Sequence, residues 1–215
     1  MSAPRRPVNG RRAYDGTRRQ EQAQRARDRV VDTAERLFLE NGYGATTVST
    51  VAEESGVSVD TIYKAFGGKA GLVRAIHGRA LGGTGPVPAN ERSEAIQTKE
   101  SDPRKIIRAW GGFITEIAPR IVPLLLLIEA AAVDDPDLRS LIDELDTARL
   151  TRMRDNARRL SVAGHLRAGI SVSRAADILW TYSSPELYEL LVLRRGMTNA
   201  EYGRFVADAM IAALL

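Results

Sequence analysis

Residues 46–72, TTVSTVAEESGVSVDTIYKAFGGKAGL, constrain the fold of this 215-residue chain more than any other stretch. Thr47 is placed to cap a helix running from Val48 to Ser55. Val48, Val51 and Ala52 fall at i, i+3 and i+4 and share one face. Gly56 suits the left-handed conformation that ends a helix. Ser58 then caps a second helix, Val59 to Phe66, with Ile62 and Phe66 turned inward. Val59, Asp60, Thr61, Tyr63 and Lys64 are left facing away from the core. Gly67-Gly68 turns the chain into a further helix, about Lys69 to Ala80, with Leu72, Val73 and Ile76 on its inner face. Helix, glycine turn, short helix with a polar outer face is the helix-turn-helix pattern, whose second helix enters a DNA major groove. An αα-hairpin in an ordinary bundle gives the same local signal, so the rest of the chain has to decide.

Charge favours the first reading. The formal net charge is +4, but residues 1–80 carry 14 Lys+Arg against 9 Asp+Glu, and residues 81–215 carry 17 against 18. The excess belongs to the part that holds the two short helices, which is the pattern of a nucleic-acid module beside a neutral one. Residues 1–16, rich in Pro, Gly and Arg, read as a disordered basic arm, with Arg18 and Arg19 just after it. Such an arm reaches DNA phosphates or serves as a solubilising tail. Lys69, in a first helical turn, opposes the helix dipole and invites a compensating anion such as a DNA phosphate; an exposed surface lysine is the alternative.

The remaining bulk features narrow the field. There is no cysteine, and the two histidines, His77 and His165, lie far apart. No catalytic constellation, metal-ligand spacing or phosphate loop occurs, so we expect no enzyme activity, metal or cofactor. His77 reads as a solvated or capped histidine. The longest apolar run, Ile121 to Ile128, is interrupted by Pro123 and ends at Glu129, far short of a membrane span of ~18 residues. The expectation is a soluble cytoplasmic protein with no membrane partner.

The chain reads as all-α. Helix 1 spans about Thr17 to Asn41, with Val30, Ala34, Leu37 and Phe38 as its stripe and Tyr43 tucked into the core behind it. The loop GGTGPVPAN marks a junction between a DNA-binding domain, 17–81, and a helical ligand-binding and dimerisation domain, 82–215. A polar piece, Glu91 to Glu100, reads as a short helix anchored by Ala95 and Ile96. Asp102-Pro103, Asp135-Pro136 and Ser184-Pro185 each pair an N-cap with proline at the first helical position. Pro119 and Pro123 are expected to punctuate the segment between Ala118 and Val133. Thr198 to Glu201 is a capping box opening the last helix. Trp110, Phe113 and Ile117, with Ile114, Leu124, Ile128, Leu145 and Trp180, are candidates for lining a ligand cavity; core packing gives the same stripe. The last helices carry small and aromatic residues, and Ala176, Leu179, Tyr202, Phe205, Val206, Ala209 and Met210 are candidates for a dimer contact, with burial inside one chain as the alternative. Two recognition helices would supply discrimination that one cannot.

From Val30 to Val73 the chain resembles the tetracycline-repressor-like (TetR) family of bacterial transcriptional regulators. The resemblance rests on the apolar spacing, Gly42-Tyr43, Thr46-Thr47, the AEESGVS turn, the TIYKAF helix and Lys69-x-x-Leu72, all in order. The second half is similar, more loosely, to the variable ligand-binding domains of that family. The resemblance implies a homodimer of about nine helices per chain, bound to a pseudo-palindromic double-stranded DNA operator and responsive to a small-molecule effector. It implies a four-helix dimer contact from 172–183 and 198–215. It also places Thr47 and Lys69 on phosphates and makes Ser58, Val59, Asp60, Thr61, Tyr63 and Lys64 the recognition surface. Ala65 stands where the family often has histidine, and Gly67-Gly68 replaces a polar cap. Both departures suggest fewer phosphate anchors around the second short helix and more weight on the N-terminal arginines. The competing reading is a ligand-binding or scaffolding protein whose helix-turn-helix no longer binds DNA.

Overall fold

A computed structural model describes residues 10–84, 87–133 and 135–215, with side chains from residue 18 onward. Every regular element among them is helical. In chain order these are α1 (Gly10–Asn41), α2 (Val48–Ser55), α3 (Val59–Phe66), α4 (Lys69–Leu81), α5 (Ala89–Lys99), α6 (Pro103–Ala131), α7 (Pro136–Val162), α8 (Val172–Tyr182), α9 (Pro185–Tyr188) and α10 (Asn199–Leu214). Glu189–Arg194, after α9, is π-helical. The chain divides into two compact units between Leu72 and Val73. The division falls inside the continuous α4, not in the glycine-rich loop after Leu81 where the sequence places its junction. Helix α1 begins at Gly10 rather than Thr17, so residues 10–16 are helical; residues 1–9 of the expected arm lie outside the described residues.

The first unit is organised around α1. Its buried stripe, Val30, Ala34, Leu37 and Phe38, takes up α2, and α3 packs on α2, with Val51, Ala52 and Ile62 all buried. Gly42, at φ +85°, ends α1. The buried Thr46 hydroxyl donates to the α1 carbonyls of Leu37 (3.0 Å) and Gly42 (2.9 Å), satisfying helix-end acceptors that would otherwise be orphaned. Tyr43 is buried and packs on Phe38 at 5.3 Å between ring centroids, in the core role expected of it.

The second unit is built on α6, which packs on α10, α7, α5 and α9. It is one helix of 29 residues running through Pro119 and Pro123, not two pieces. Each proline removes an i→i−4 bond and crowds the carbonyl behind it, at a cost of ~3 kcal/mol. Burial of Ala118, Ile121, Val122, Leu124 and Ile128 along the same stretch offsets that cost, at roughly 1.5–3 kcal/mol for each large aliphatic side chain. By length and composition alone α6 is apolar enough to cross a bilayer; here Ile106, Ile107, Trp110, Ile121, Leu124 and Ile128 are buried against the rest of the unit.

Helix α5 is attached differently from the sequence expectation. Ala95 is exposed and Ile96 half-buried; the buried residues of the helix are Ala89 and Ser93, and polar contacts tether it further. The buried Ser93 hydroxyl accepts from Trp110 Nε1 (3.1 Å), Gln97 donates to Asn156 (3.2 Å), and Arg92 makes a two-pronged pair with Glu116 (3.0 and 2.6 Å). That guanidinium holds the Glu116 carboxyl well below the usual range, at about 2.

Helices α6 and α10 cross where neither has a side chain. A Cβ on Gly111 would meet the Gly203 carbonyl oxygen at 2.5 Å and Ala207 Cβ at 2.9 Å; one on Gly203 would strike Thr115 and the Gly111 carbonyl. Gly112, one residue on, faces open space. Gly111→Ala is therefore expected to destabilise the protein by about 1–3 kcal/mol. Gly112→Ala should stabilise it by roughly 0.5–1 kcal/mol, because only the helix-propensity gain remains. Urea denaturation of the two variants checks this; equal shifts would refute the close crossing.

Candidate functional site

The first candidate site is the outer face of α3. Thr47 and Ser58 cap α2 and α3, accepting from the backbone N–H of Thr50 (3.0 Å) and Thr61 (3.1 Å). Gly56 joins the two helices at φ +70°. With Ile62 fully buried, the period of α3 turns Ser58, Val59, Asp60, Thr61, Tyr63 and Lys64 outward, and all six are exposed, Tyr63 at 55%. Thr47 is exposed as well, its hydroxyl 2.8 Å from that of Thr50. Lys64 pairs with Asp60 at 2.7 Å, one turn apart on a surface where such a pair is worth little and exchanges freely with other ions. Arg18 and Arg19 lie exposed on α1.

Three contacts hold this face in place, and the sequence did not signal the first. Arg27 of α1 donates to the Ala65 carbonyl (3.1 Å) and lays its guanidinium 4.4 Å from the centre of the Phe66 ring. It thereby satisfies an acceptor at the C-terminal end of α3 and tethers that end to α1. Gly67 and Gly68 have φ of +77° and +108°, in the left-handed region where a side chain is strained. A Cβ at Gly68 would press on the Tyr63 ring at 3.3 Å. This corner is thus a tight one that needs both glycines, in contrast to the loosened fix that their lack of a polar cap suggests. Lys69 completes it: Nζ donates to the Tyr43 carbonyl (2.5 Å) and sits 4.0 Å from the centre of the Tyr43 ring. The partner that a cation at a helix N-terminus requires is supplied inside the chain.

The second candidate site is a cavity of about 30 Å³ in the second unit. It is lined by His77 of α4, Leu125 and Glu129 of α6, Ile142, Leu145, Asp146 and Arg149 of α7, and Pro185 of α9. Burial lowers the His77 pKa and keeps its imidazole neutral, so it is not the solvated histidine expected. Burial, then the charges of Glu186, Asp146 and Glu189, raise that of Glu129, and Arg149 partly opposes them. Arg149 donates to the Trp180 carbonyl (2.7 Å) and to Asp146 (3.1 Å), and covers the Trp180 ring at 4.6 Å.

Of the eight residues singled out for a ligand cavity, Leu145 lines this one. Trp180 lies behind Arg149, with its Nε1 buried and unpartnered. Trp110, Leu124 and Ile128 are buried core. Phe113 lies under Arg92 at 4.9 Å, and Ile114 and Ile117 are half-buried elsewhere on α6. The remaining wall residues were missed; the one local signal was a carboxylate, Glu129, directly ending the apolar run of α6. Among the dimer candidates, Ala176, Leu179, Tyr202, Val206 and Met210 are packed inside this chain, Tyr202 edge-on to Tyr188 at 5.2 Å. Phe205 is 44% exposed and Ala209 half-buried.

Residues 30–76 match the family described as bacterial regulatory proteins, tetR family. The chain is 41% identical over 59 residues to the HTH-type transcriptional regulator TtgR of Pseudomonas putida, and 40% identical over 55 residues to the HTH-type transcriptional repressor ComR of Escherichia coli. These matches cover 27% and 26% of this chain and only 28% and 26% of those proteins. A solved structure of the regulator FadR from Bacillus subtilis, in complex with stearoyl-CoA, superposes with a TM-score of 0.65 over 87% of this chain and 98% of that one, at 18% identity. That likeness concerns the fold alone.

The Arg27 tether has a direct consequence. In Arg27→Ala, amide hydrogen exchange in α3 should accelerate several-fold. Arg25→Ala, which removes only an exposed pair with Glu21, should leave α3 unchanged. Equal protection in both variants would remove Arg27 from the account.

Proposed function

We propose that the chain, whose residues 30–76 match the tetR-family model, is a cytoplasmic DNA-binding transcriptional regulator acting as a repressor. The observation that carries the reading is α3. It is a short helix capped at both ends and seated by one fully buried residue, Ile62, and with its N-cap Ser58 it turns Val59, Asp60, Thr61, Tyr63 and Lys64 to solvent. Such a helix is preorganised to enter a major groove, where Tyr63, Lys64 and Thr61 meet base edges and Ser58 and Thr47 meet phosphates. Lys69, at the first turn of α4, adds a phosphate contact. Arg18, Arg19 and the residues before them add charge along the backbone.

The protein acts as a homodimer on a pseudo-palindromic operator, since one such helix supplies too few base contacts for a genome. The dimer contact uses the outward side of the last helices, where Phe205 and Ala209 lie. A small molecule enters the cavity of the second unit and alters operator affinity. Helix α4 supports this: its first turn carries Lys69 in the DNA-binding unit, and its later turns carry His77 in the cavity wall.

One observation favours the competing reading of a drifted helix-turn-helix: the two cations nearest the groove, Lys64 and Lys69, both have partners within the chain. DNA binding measured by fluorescence anisotropy against salt separates the two. Tyr63→Ala and Lys64→Ala should each weaken operator binding by about tenfold. Lys69→Ala should weaken binding on all sequences and lower the salt slope by roughly one. Unchanged affinity and slope in all three would favour the ligand-binding or scaffolding protein.

A further inference from the structure

We infer that the cavity bounded by α4, α6, α7 and α9 takes an organic cation, a protonated amine carried on a compact apolar body, with Glu129 as its counter-ion. This rests on the effector role proposed for the cavity and names the class of ligand it selects. The walls are apolar on several sides, from Leu125, Ile142, Leu145 and Pro185. The charges facing it are unbalanced. Helix α6 contributes Glu129 and α7 contributes Asp146 and Arg149 to the wall; Glu186 of α9 and Glu189 of the π-helical turn lie outside the wall but act on the Glu129 charge in the same sense as Asp146, with Arg149 opposing them. Helix α4 contributes the His77 imidazole, which burial keeps neutral.

The positive charge in this set is already committed. Arg149 is bound to Asp146, to the Trp180 carbonyl, to the Ser183 hydroxyl (3.3 Å) and to the Trp180 ring. Arg194 pairs with Glu189 at 2.7 Å. Arg74, on the turn of α4 before His77, grips Glu144 with two nitrogens. Glu129 and Glu186 have no hydrogen-bond or ion-pair partner among the side chains of the described residues, and Glu129 alone of the two lines the cavity. A desolvated carboxylate among like charges is stabilised most by a cation that arrives without its full hydration shell, and an amine on an apolar body is such a cation. The same field repels a carboxylate or a phosphate. Stearoyl-CoA, the anionic ligand of the B. subtilis FadR structure, therefore does not suit this cavity.

The test uses the full-length protein and three probes that share one body: 4-phenylbutylamine, 4-phenylbutanol and 4-phenylbutyrate. Titration calorimetry reads binding without DNA, so failure of the regulatory reading is scored separately by operator anisotropy. The amine is expected to bind at least about tenfold more tightly than the alcohol and the acid more weakly than either. Glu129→Gln should bring the amine down to the affinity of the alcohol, with circular dichroism and the alcohol's own affinity unchanged. Amine binding to the natural protein should weaken as pH falls through the raised pKa of Glu129, because protonation removes the counter-ion, and Glu129→Gln should show a shallower dependence. The proposal is overturned if the acid binds as well as the amine, if none of the three binds at millimolar concentration, or if Glu129→Gln keeps the amine's advantage. Amine binding with no change in operator affinity would support the site and count against its regulatory role.

Discussion

The carbonyl oxygen of Phe66 lies where a Cβ of residue 71 would be. With glycine at 71, the end of α3 and the first turn of α4 approach to backbone distance. Much else in the first unit follows from that contact. Two left-handed glycines, Gly67 and Gly68, are needed to turn the chain so sharply. The turn brings Lys69 back over Tyr43, and Tyr43 is itself fixed on Phe38. Arg27 closes the far side by holding Ala65 and Phe66. The orientation of α3 is thus set from the core of α1 and from the start of α4 together. Arg27 holds Ala65 and Phe66, outside the outward set, whereas Gly68 lies against the ring of Tyr63, so Tyr63 is the outward residue tied to the corner.

What was legible in the sequence was whatever is decided within a few residues. Thr47, Ser58, Asp102, Asp135, Ser184 and Thr198 all cap the helices they were read to cap, because an N-cap bond spans two or three positions. The polar face of α3 was legible because one buried residue, Ile62, fixes the phase of eight. The helix-turn-helix order needed no more than that.

The cavity and the interior of the second unit were not legible, for a related reason. Trp110, Leu124, Ile128, Tyr202 and Val206 sit at helical spacing whether they line a pocket, meet a second chain or fill a core. Only the partner helix distinguishes these, and it is distant in sequence. Pro119 and Pro123 failed as breaks because tertiary burial outweighed a local penalty. Helix α5 failed as an apolar strip because it is held by Ser93, Gln97 and Arg92, whose partners lie 17, 59 and 24 residues away. The wall of the cavity draws on four helices, and no window of sequence contains it.

The size of that cavity bears on how a ligand could act through it. About 30 Å³ holds a water or two, whereas small-molecule sites run to several hundred. The amine proposed for this cavity, with its apolar body, therefore enters only as the walls part. A ligand shifts an equilibrium only by its differential affinity for two states, and steric exclusion from one of them makes that difference large. One of the walls is α4, through His77, and the same helix begins at Lys69 in the corner that sets α3. The Arg74 and Glu144 pair between α4 and α7 must either travel with the parting or break with it. An exposed pair of this kind costs little to break. Leu125, Ile142 and Leu145 line the cavity, so the apolar body of an incoming ligand would cover their surface as the walls part.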